Sequence, residues 1–166
     1  SGLAELMYHY YFQNLMGKNF YNQRLIIVIS SPSGTGKTSV CKEILRLDDK
    51  IKLSVSHTTR QPRDNEKDGK DYFFISHNEF KSEIKNNSFL EYAEVFGNLY
   101  GSSFDNVDAL LSKDFDVLFD IDWQGANQIT NSKIAKIITI FLIPPSKETV
   151  LKRLKKRSEE TGDDND

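Results

Sequence analysis

Cysteine is nearly absent from this sequence. Cys41 stands alone among 166 residues, so no disulfide can close within the chain. That excludes the small secreted scaffolds held together by disulfides and fits a reducing compartment. Long apolar runs are missing too. No segment reaches the roughly 18 uninterrupted apolar residues of a membrane span, and the opening residues have neither the basic nor the apolar stretch of a secretion signal. The cytoplasm is therefore the expected location. Nor does one sign of charge dominate: 22 Lys and Arg meet 24 Asp and Glu, for a net charge of -2. Such a balance asks for neither nucleic acid nor an anionic membrane as partner. No internal repeat or low-complexity tract is visible.

What remains is an ordinary globular composition, 28% charged and 38% hydrophobic, in a chain long enough for one domain with a real core. Its strongest local signal is Ser31-Pro32-Ser33-Gly34-Thr35-Gly36-Lys37-Thr38, which directly follows the apolar run Leu25-Ile26-Ile27-Val28-Ile29. A buried strand, a Gly-rich turn and a helix start, in that order, form the phosphate-binding loop arrangement. Gly34 and Gly36 let the backbone curl so that successive N–H groups point at one spot. The helix that follows, opening with Lys37, Thr38 and Ser39, places its positive dipole end on the same spot. Lys37 can reach the β- and γ-phosphates of a nucleoside triphosphate, and Thr38 offers a hydroxyl to a magnesium ion. Ser31 stands where the consensus has Gly, which is tolerable if the backbone there keeps a negative φ. The bland alternative is a Gly-rich turn whose Lys faces solvent; the readable strand before and helix after argue against it. Cys41, one turn into that helix, reads as a small buried residue rather than a reactive thiol.

Strand and helix signals alternate along the chain, which predicts an α/β fold with a largely parallel sheet flanked by helices. Strands are expected at 25–30, 53–56, 72–75, 89–95, 99–102, 117–121 and 137–143. Helices are expected at 37–47, 78–86, 105–112, 124–130 and from Ser146 to about Arg157, with Ser146 as the cap. Residues 57–71 read as a long polar loop, and Gly97-Asn98 as the turn of a hairpin. The core strands lie towards the two ends of the chain, in 25–55 and 104–152, while 56–103 reads as an inserted unit closing over something. Residues 1–24 form an extension or a remnant of tag removal, crowded with aromatics and near helical spacing at Leu3, Leu6, Met7, Tyr10 and Tyr11. The polar stretch from Thr161 to Asp166 reads as a tail.

A phosphate loop does not by itself name a reaction. The inserted unit says more. Ser54-Val55-Ser56-His57-Thr58-Thr59-Arg60-Gln61-Pro62-Arg63 places two arginines three apart beside a proline-stiffened turn. Forked guanidiniums at that spacing can converge on one phosphate dianion, or they can be two solvated loop residues. Gly69-Lys70-Asp71-Tyr72, Phe89-Leu90-Glu91-Tyr92-Ala93 and Asn98-Leu99-Tyr100-Gly101-Ser102 follow. Then Phe119-Asp120-Ile121-Asp122-Trp123-Gln124-Gly125 sets two carboxylates at the carboxyl end of an apolar strand, where ligands of open parallel sheets bind. Together and in this order, from about residue 25 to 160, these segments resemble the guanylate kinases, P-loop nucleoside monophosphate kinases that phosphorylate GMP with ATP and magnesium.

The resemblance implies the following roles. Ser56, Arg60 and Arg63 would hold the GMP phosphate, with Tyr72 and Tyr100 donating to it. Glu91 would accept from guanine N1 and N2, with Ser102 on the O6 side and Asp122 assisting. Asp120 would lie nearer the magnesium and phosphates. Lys37, Arg60 and a lid arginine, Arg157 with Arg153 as the weaker candidate, would neutralise charge during transfer. The chemistry suits guanine, whose Watson–Crick edge presents adjacent N–H donors to a carboxylate, whereas adenine presents an acceptor at N1. A site built on such bonds discriminates by about 10⁴ or more. Ser158 replaces the family's usual Gly after the lid arginine, and the family's final strand and C-terminal helix lie beyond Asp166, so the expected sheet lacks them. Expected partners are ATP and GMP (or dGMP). Bacterial members of the family often associate, which leaves a homodimer open. The alternatives are a non-catalytic guanylate-kinase-like module that binds phosphopeptides, an inactive fragment of the enzyme, or a kinase for another nucleoside monophosphate. The intact Gly36, Lys37 and Thr38 favour the enzyme over the module, and Glu91 with Asp122 favours guanine.

Overall fold

The computed structural model describes residues 24–132 and 134–161. The proposed N-terminal helix and the polar tail from residue 162 lie outside the described residues. Five apolar residues in succession make β1 (Leu25–Ser30) a strand buried along its whole length. It needs cover on both faces and neighbours on both sides. The neighbours are β7 (Asp116–Asp120) and β8 (Lys136–Phe141), and β2 (Ile51–Leu53) pairs with β7, giving a parallel sheet in the order β2-β7-β1-β8. Alternation along β1 splits the core. Leu25, Ile27 and Ile29 meet Val40, Cys41 and Ile44 of α1 (Lys37–Leu47). Ile26 and Val28 meet Val107 and Leu111 of α3 (Phe104–Ser112), and Ala126 and Ile129 of α4 (Trp123–Ser132). Helices thus cover both faces, as the alternating pattern predicts.

A second sheet runs β4-β3-β6-β5, with β3 (His57–Thr58), β4 (Phe73–Phe74), β5 (Phe89–Val95) and β6 (Asn98–Ser103). Its small core is aromatic. Phe80 of α2 (His77–Lys85) is fully buried with its ring centroid 4.5 Å from that of Phe89, and His57 stacks on Phe73 at 4.8 Å. Ser76 and Glu79 form a reciprocal capping box that starts α2. After β8 the chain turns through Pro144-Pro145 into α5 (Lys147–Thr161), where Ser146 Oγ accepts from the Thr149 N–H at 3.2 Å as the cap. Among the described residues no helix is long and apolar enough to cross a membrane.

Three local expectations change. The strand expected at 53–56 is two short ones, Ile51–Leu53 in the first sheet and His57–Thr58 in the second, because the Ser54 N–H donates to Leu118 O (2.8 Å) where the chain leaves one sheet for the other. The hairpin turns on Phe96-Gly97 rather than Gly97-Asn98: Val95 pairs with Asn98, and both turn residues have positive φ, 49° and 75°. Positive φ at both central positions is what a two-residue hairpin matched to strand twist requires. Finally β8, read as buried, is an edge strand with Phe141 56% exposed. An apolar run alone does not distinguish a central strand from one with a single neighbour.

Candidate active site

The loop between β1 and α1 curls as its glycines allow. Gly34 and Gly36 have φ of 74° and 96°, in the left-handed region that side-chain-bearing residues avoid. Ser31 is not among the described residues with positive φ, so the missing consensus glycine costs the loop nothing at that position. Ser31 Oγ and Thr35 Oγ1 both donate to Pro32 O, at 3.0 and 2.7 Å, bracing the loop from within. Pro32 and Ser33 are exposed, as are Thr38 and Ser39 in the first turn of α1. No side chain caps α1. Its first N–H groups and its dipole end therefore face the concavity of the loop, a ready anion site.

The end of β7 supplies the opposite wall. Ile29 of β1 is in register with Asp120 of β7, which brings the carboxylate beside the loop. Lys37 Nζ lies 2.8 Å from Asp120 Oδ1 and donates to Ile121 O at 2.8 Å. Two residues on, Asp122 caps α4. Its Oδ1 accepts from the Gly125 N–H and its Oδ2 from Gln124 Nε2, both at 3.0 Å. Burial, and then the nearby Asp120 charge, push the Cys41 thiol up, so it stays protonated and serves packing.

The second sheet carries a buried acid. Glu91 of β5 stands opposite Ser102 of β6, and Ser102 Oγ donates to Glu91 Oε1 at 2.6 Å. Ser56 Oγ lies 3.5 Å from Ser102 Oγ, extending the polar row. Glu91 is 3% exposed. Burial raises its pKa to about 7, the Ser102 hydrogen bond pulls against that rise, and the Asp122 charge adds to it. A carboxyl held near neutrality in a closed polar site is characteristic of functional positions.

Next to it lies a cationic cluster. Arg60 sets its guanidinium 5.4 Å from the Tyr72 ring centroid, and the Tyr72 and Tyr100 rings meet edge to face at 6.0 Å. Arg60 Nη2 donates to both Glu66 oxygens, at 2.8 and 3.0 Å, and the Arg63 backbone N–H donates to Glu66 Oε2 at 2.9 Å. Burial works against the Arg60 charge, but Glu66 and the Tyr100 hydroxyl outweigh it and hold the guanidinium above its ordinary value. Burial also pushes the Tyr72 phenol up.

Sequence reasoning missed Glu66 as a partner of both arginine positions. An acid three to six residues along the same loop was the available signal. It also ranked Arg153 below Arg157. Arg153 Nη1 donates to Thr35 O at 2.7 Å, and a Cβ placed on Gly34 would lie 3.1 Å from Leu154 and 3.2 Å from Val150, so α5 rests on the phosphate loop. Arg157 lies further along α5, and its side chain is outside the described residues. Gln128 was missed as well. Its Nε2 donates to Tyr92 O at 2.7 Å, and its Oε1 accepts from the Tyr92 N–H at 3.1 Å, which fastens α4 to the open edge of β5. Nothing in the sequence signals that contact.

The guanylate kinase family model matches residues 23–164. The guanylate kinase of Rickettsia prowazekii is 50% identical over 139 residues, covering 84% of this chain and 70% of that protein. That of Buchnera aphidicola is 47% identical over 142 residues, covering 84% of this chain and 68% of the relative. Among solved structures, the guanylate kinase from Anaplasma phagocytophilum superposes with a TM-score of 0.69 at 38% identity, over 84% of this chain and 70% of that one. An intact phosphate loop, a buried carboxyl opposite a serine and a cluster of arginine and tyrosines are thus met by kinship along most of the sequence, and the chain belongs to the guanylate kinase family, enzymes that transfer the γ-phosphoryl group of ATP to GMP.

Proposed function

We propose that this chain's own residues divide that reaction between two walls joined by the end of β7. The observation that carries the reading is the spacing of Asp120 and Asp122. Asp120 pairs with the phosphate-loop lysine, and Asp122 accepts from the N–H of Gly125, the residue that abuts the Glu91 carboxylate, so a segment of three residues connects both half-sites. In-line transfer needs the donor and acceptor phosphates held facing one another, which is the task this reading gives the two walls. Residues 25–55 and 104–152 form the ATP-binding core, 56–103 the GMP-binding unit, and the residues from 153 onward begin the lid.

In this reading the backbone of Ser31–Ser39 cradles the ATP phosphates, and Lys37 turns from Asp120 to the β- and γ-phosphates. Arg60, Arg63, Tyr72, Tyr100 and Ser56 hold the GMP phosphate. Glu91, ionised, accepts from guanine N1 and N2, with Ser102 fixing its other oxygen and Asp122 bracing the helix beside it. The γ-phosphorus bonds to a GMP phosphate oxygen as its bond to the β–γ bridging oxygen breaks, releasing ADP. Arg153 or Arg157 meets the charge spread over the transferring group. dGMP fits the same contacts, none of which involves the sugar hydroxyls. The reaction belongs to cytoplasmic purine nucleotide metabolism.

The donor set fits a magnesium ion carried by ATP. Among the described residues no group of three or more His, Cys, Asp or Glu is placed to hold a metal. The Thr38 hydroxyl is exposed at the helix start and the Asp120 carboxylate faces the loop. Magnesium bound with nucleotide phosphates needs only one or two protein oxygens, which Thr38 and Asp120 would supply. When bound, it neutralises phosphate charge.

A coupled ADP-release assay with ATP and magnesium, run on GMP, dGMP, AMP, CMP and UMP, tests the reading. Turnover with the two guanine nucleotides alone is expected; equal turnover with AMP would sink the assignment of Glu91. Lys37→Met is expected to lower kcat by roughly 10²–10³ with GMP affinity unchanged, the scale of losing one preorganised charge partner in a transition state.

A further inference from the structure

We propose that Gly125 is a specificity-determining position, its missing side chain reserving the space in which the Glu91 carboxylate meets guanine. The inference rests on Glu91 being the guanine-binding acid. A Cβ built on Gly125 would overlap Glu91 Oε2 outright, and would stand 3.1 Å from Glu91 Cδ and 3.2 Å from Ile121 Cδ1. Gly125 is not among the glycines with positive φ, so its backbone does not require glycine. It is the third residue of α4, where glycine weakens a helix relative to alanine. Backbone conformation and helix propensity therefore favour a side chain at this position; what opposes one is chiefly the Glu91 carboxylate, with Ile121 Cδ1 a lesser neighbour.

Glu91 has nowhere to retreat. The side chain is 3% exposed, and Oε1 is bound to a Ser102 hydroxyl that is itself fully buried. The strand beneath cannot back away either, because Gln128 grips both backbone groups of Tyr92, the next residue. A methyl group at position 125 is accommodated by turning the carboxylate off Ser102, the one flexible end in the contact. The carboxylate then presents the wrong edge to guanine N1 and N2, while the phosphate loop is untouched.

The test compares the full chain with Gly125→Ala and Glu91→Gln, measuring Kd for GMP and for ATP by titration calorimetry, KM and kcat by ADP release, and the melting temperature. Gly125→Ala should raise Kd and KM for GMP about tenfold or more and leave ATP affinity within about twofold. Its melting temperature should fall, since turning the carboxylate breaks the buried Ser102 hydrogen bond and alanine's better fit to the helix offsets only part of that loss. A purely structural role would instead weaken both nucleotides alike. Wild-type GMP affinity in Gly125→Ala overturns the inference. So does failure of that variant to fold, which would mean that the fold, not the carboxylate, gives way. If Glu91→Gln itself binds GMP normally, the reading of Glu91 falls first. If Glu91→Gln is impaired and Gly125→Ala is not, only the inference about Gly125 falls.

Discussion

In the proposed reading, Glu91 ties guanine recognition to pH. Its carboxyl ionises at about 7 in the folded chain, against an ordinary value of 4.5, chiefly because it is buried. Only the ionised form accepts from both guanine N–H groups, so below that pH GMP must expel a proton to bind. KM for GMP should therefore fall as pH rises from 6 to 8, and Glu91→Gln should raise KM and flatten that dependence. Stability runs the other way. A folded-state pKa above the unfolded one gives a contribution fully present below the ordinary carboxylate value and lost as pH rises through 7. Wild type should lose melting temperature relative to Glu91→Gln between pH 5 and 8, which thermal scans of both proteins would read directly. The Phe89-Leu90-Glu91-Tyr92-Ala93 segment singles out this acid as a candidate. Its burial and proton affinity are not legible there, because they depend on a buried face created only when α4 closes over β5. Gly125 was illegible for the same reason, its meaning lying wholly in a side chain 34 positions away.

At the scale of elements, the hairpin between β5 and β6 holds a correctable strain. Phe96 adopts a φ of 49° while its side chain is 65% exposed, so it bears the left-handed conformation with little packing in return. Asparagine enters that region far more readily, and a non-glycine residue there costs roughly 1–2 kcal/mol. Phe96→Asn should stabilise the chain by about 1 kcal/mol, seen as a rise of ~2–4 °C in melting temperature. An unchanged or lower value would mean that Phe96 makes contacts its exposure does not suggest. The turn was misread by one residue because Gly97-Asn98 is itself a good turn pair, and the cross-strand partnership of Val95 with Asn98 overrode it. Helix α1 was legible to the residue, bounded by Gly36 and by the end of its apolar pattern. The edge position of β8 was not, since it depends on what lies alongside.

For the molecule as a whole, the two sheets are joined by packing, with Leu90 of β5 against the core of the first sheet beside α4, and stitched by polar contacts. The chain passes between them at Ser54, and Gln128 and Gln124 reach from α4 to the β5 backbone at Tyr92 and Glu94. Gln128→Leu should speed hydrogen exchange at the Tyr92 amide by roughly tenfold, the worth of one such bond, and raise KM for GMP more than KM for ATP. Protection equal to wild type would show that the stitch carries no tension. The α/β class and the order of the core were legible because alternating strand and helix signals are local; the stitches were not, because both partners are polar residues far apart in the chain. One consequence reaches across the whole site. Lys37 is held by Asp120 and Arg60 by Glu66 before any nucleotide arrives. In the proposed reading the site is thus an anion exchanger rather than a bare positive pocket: an incoming phosphate takes the place of a resident carboxylate, and its affinity is a difference between two anions.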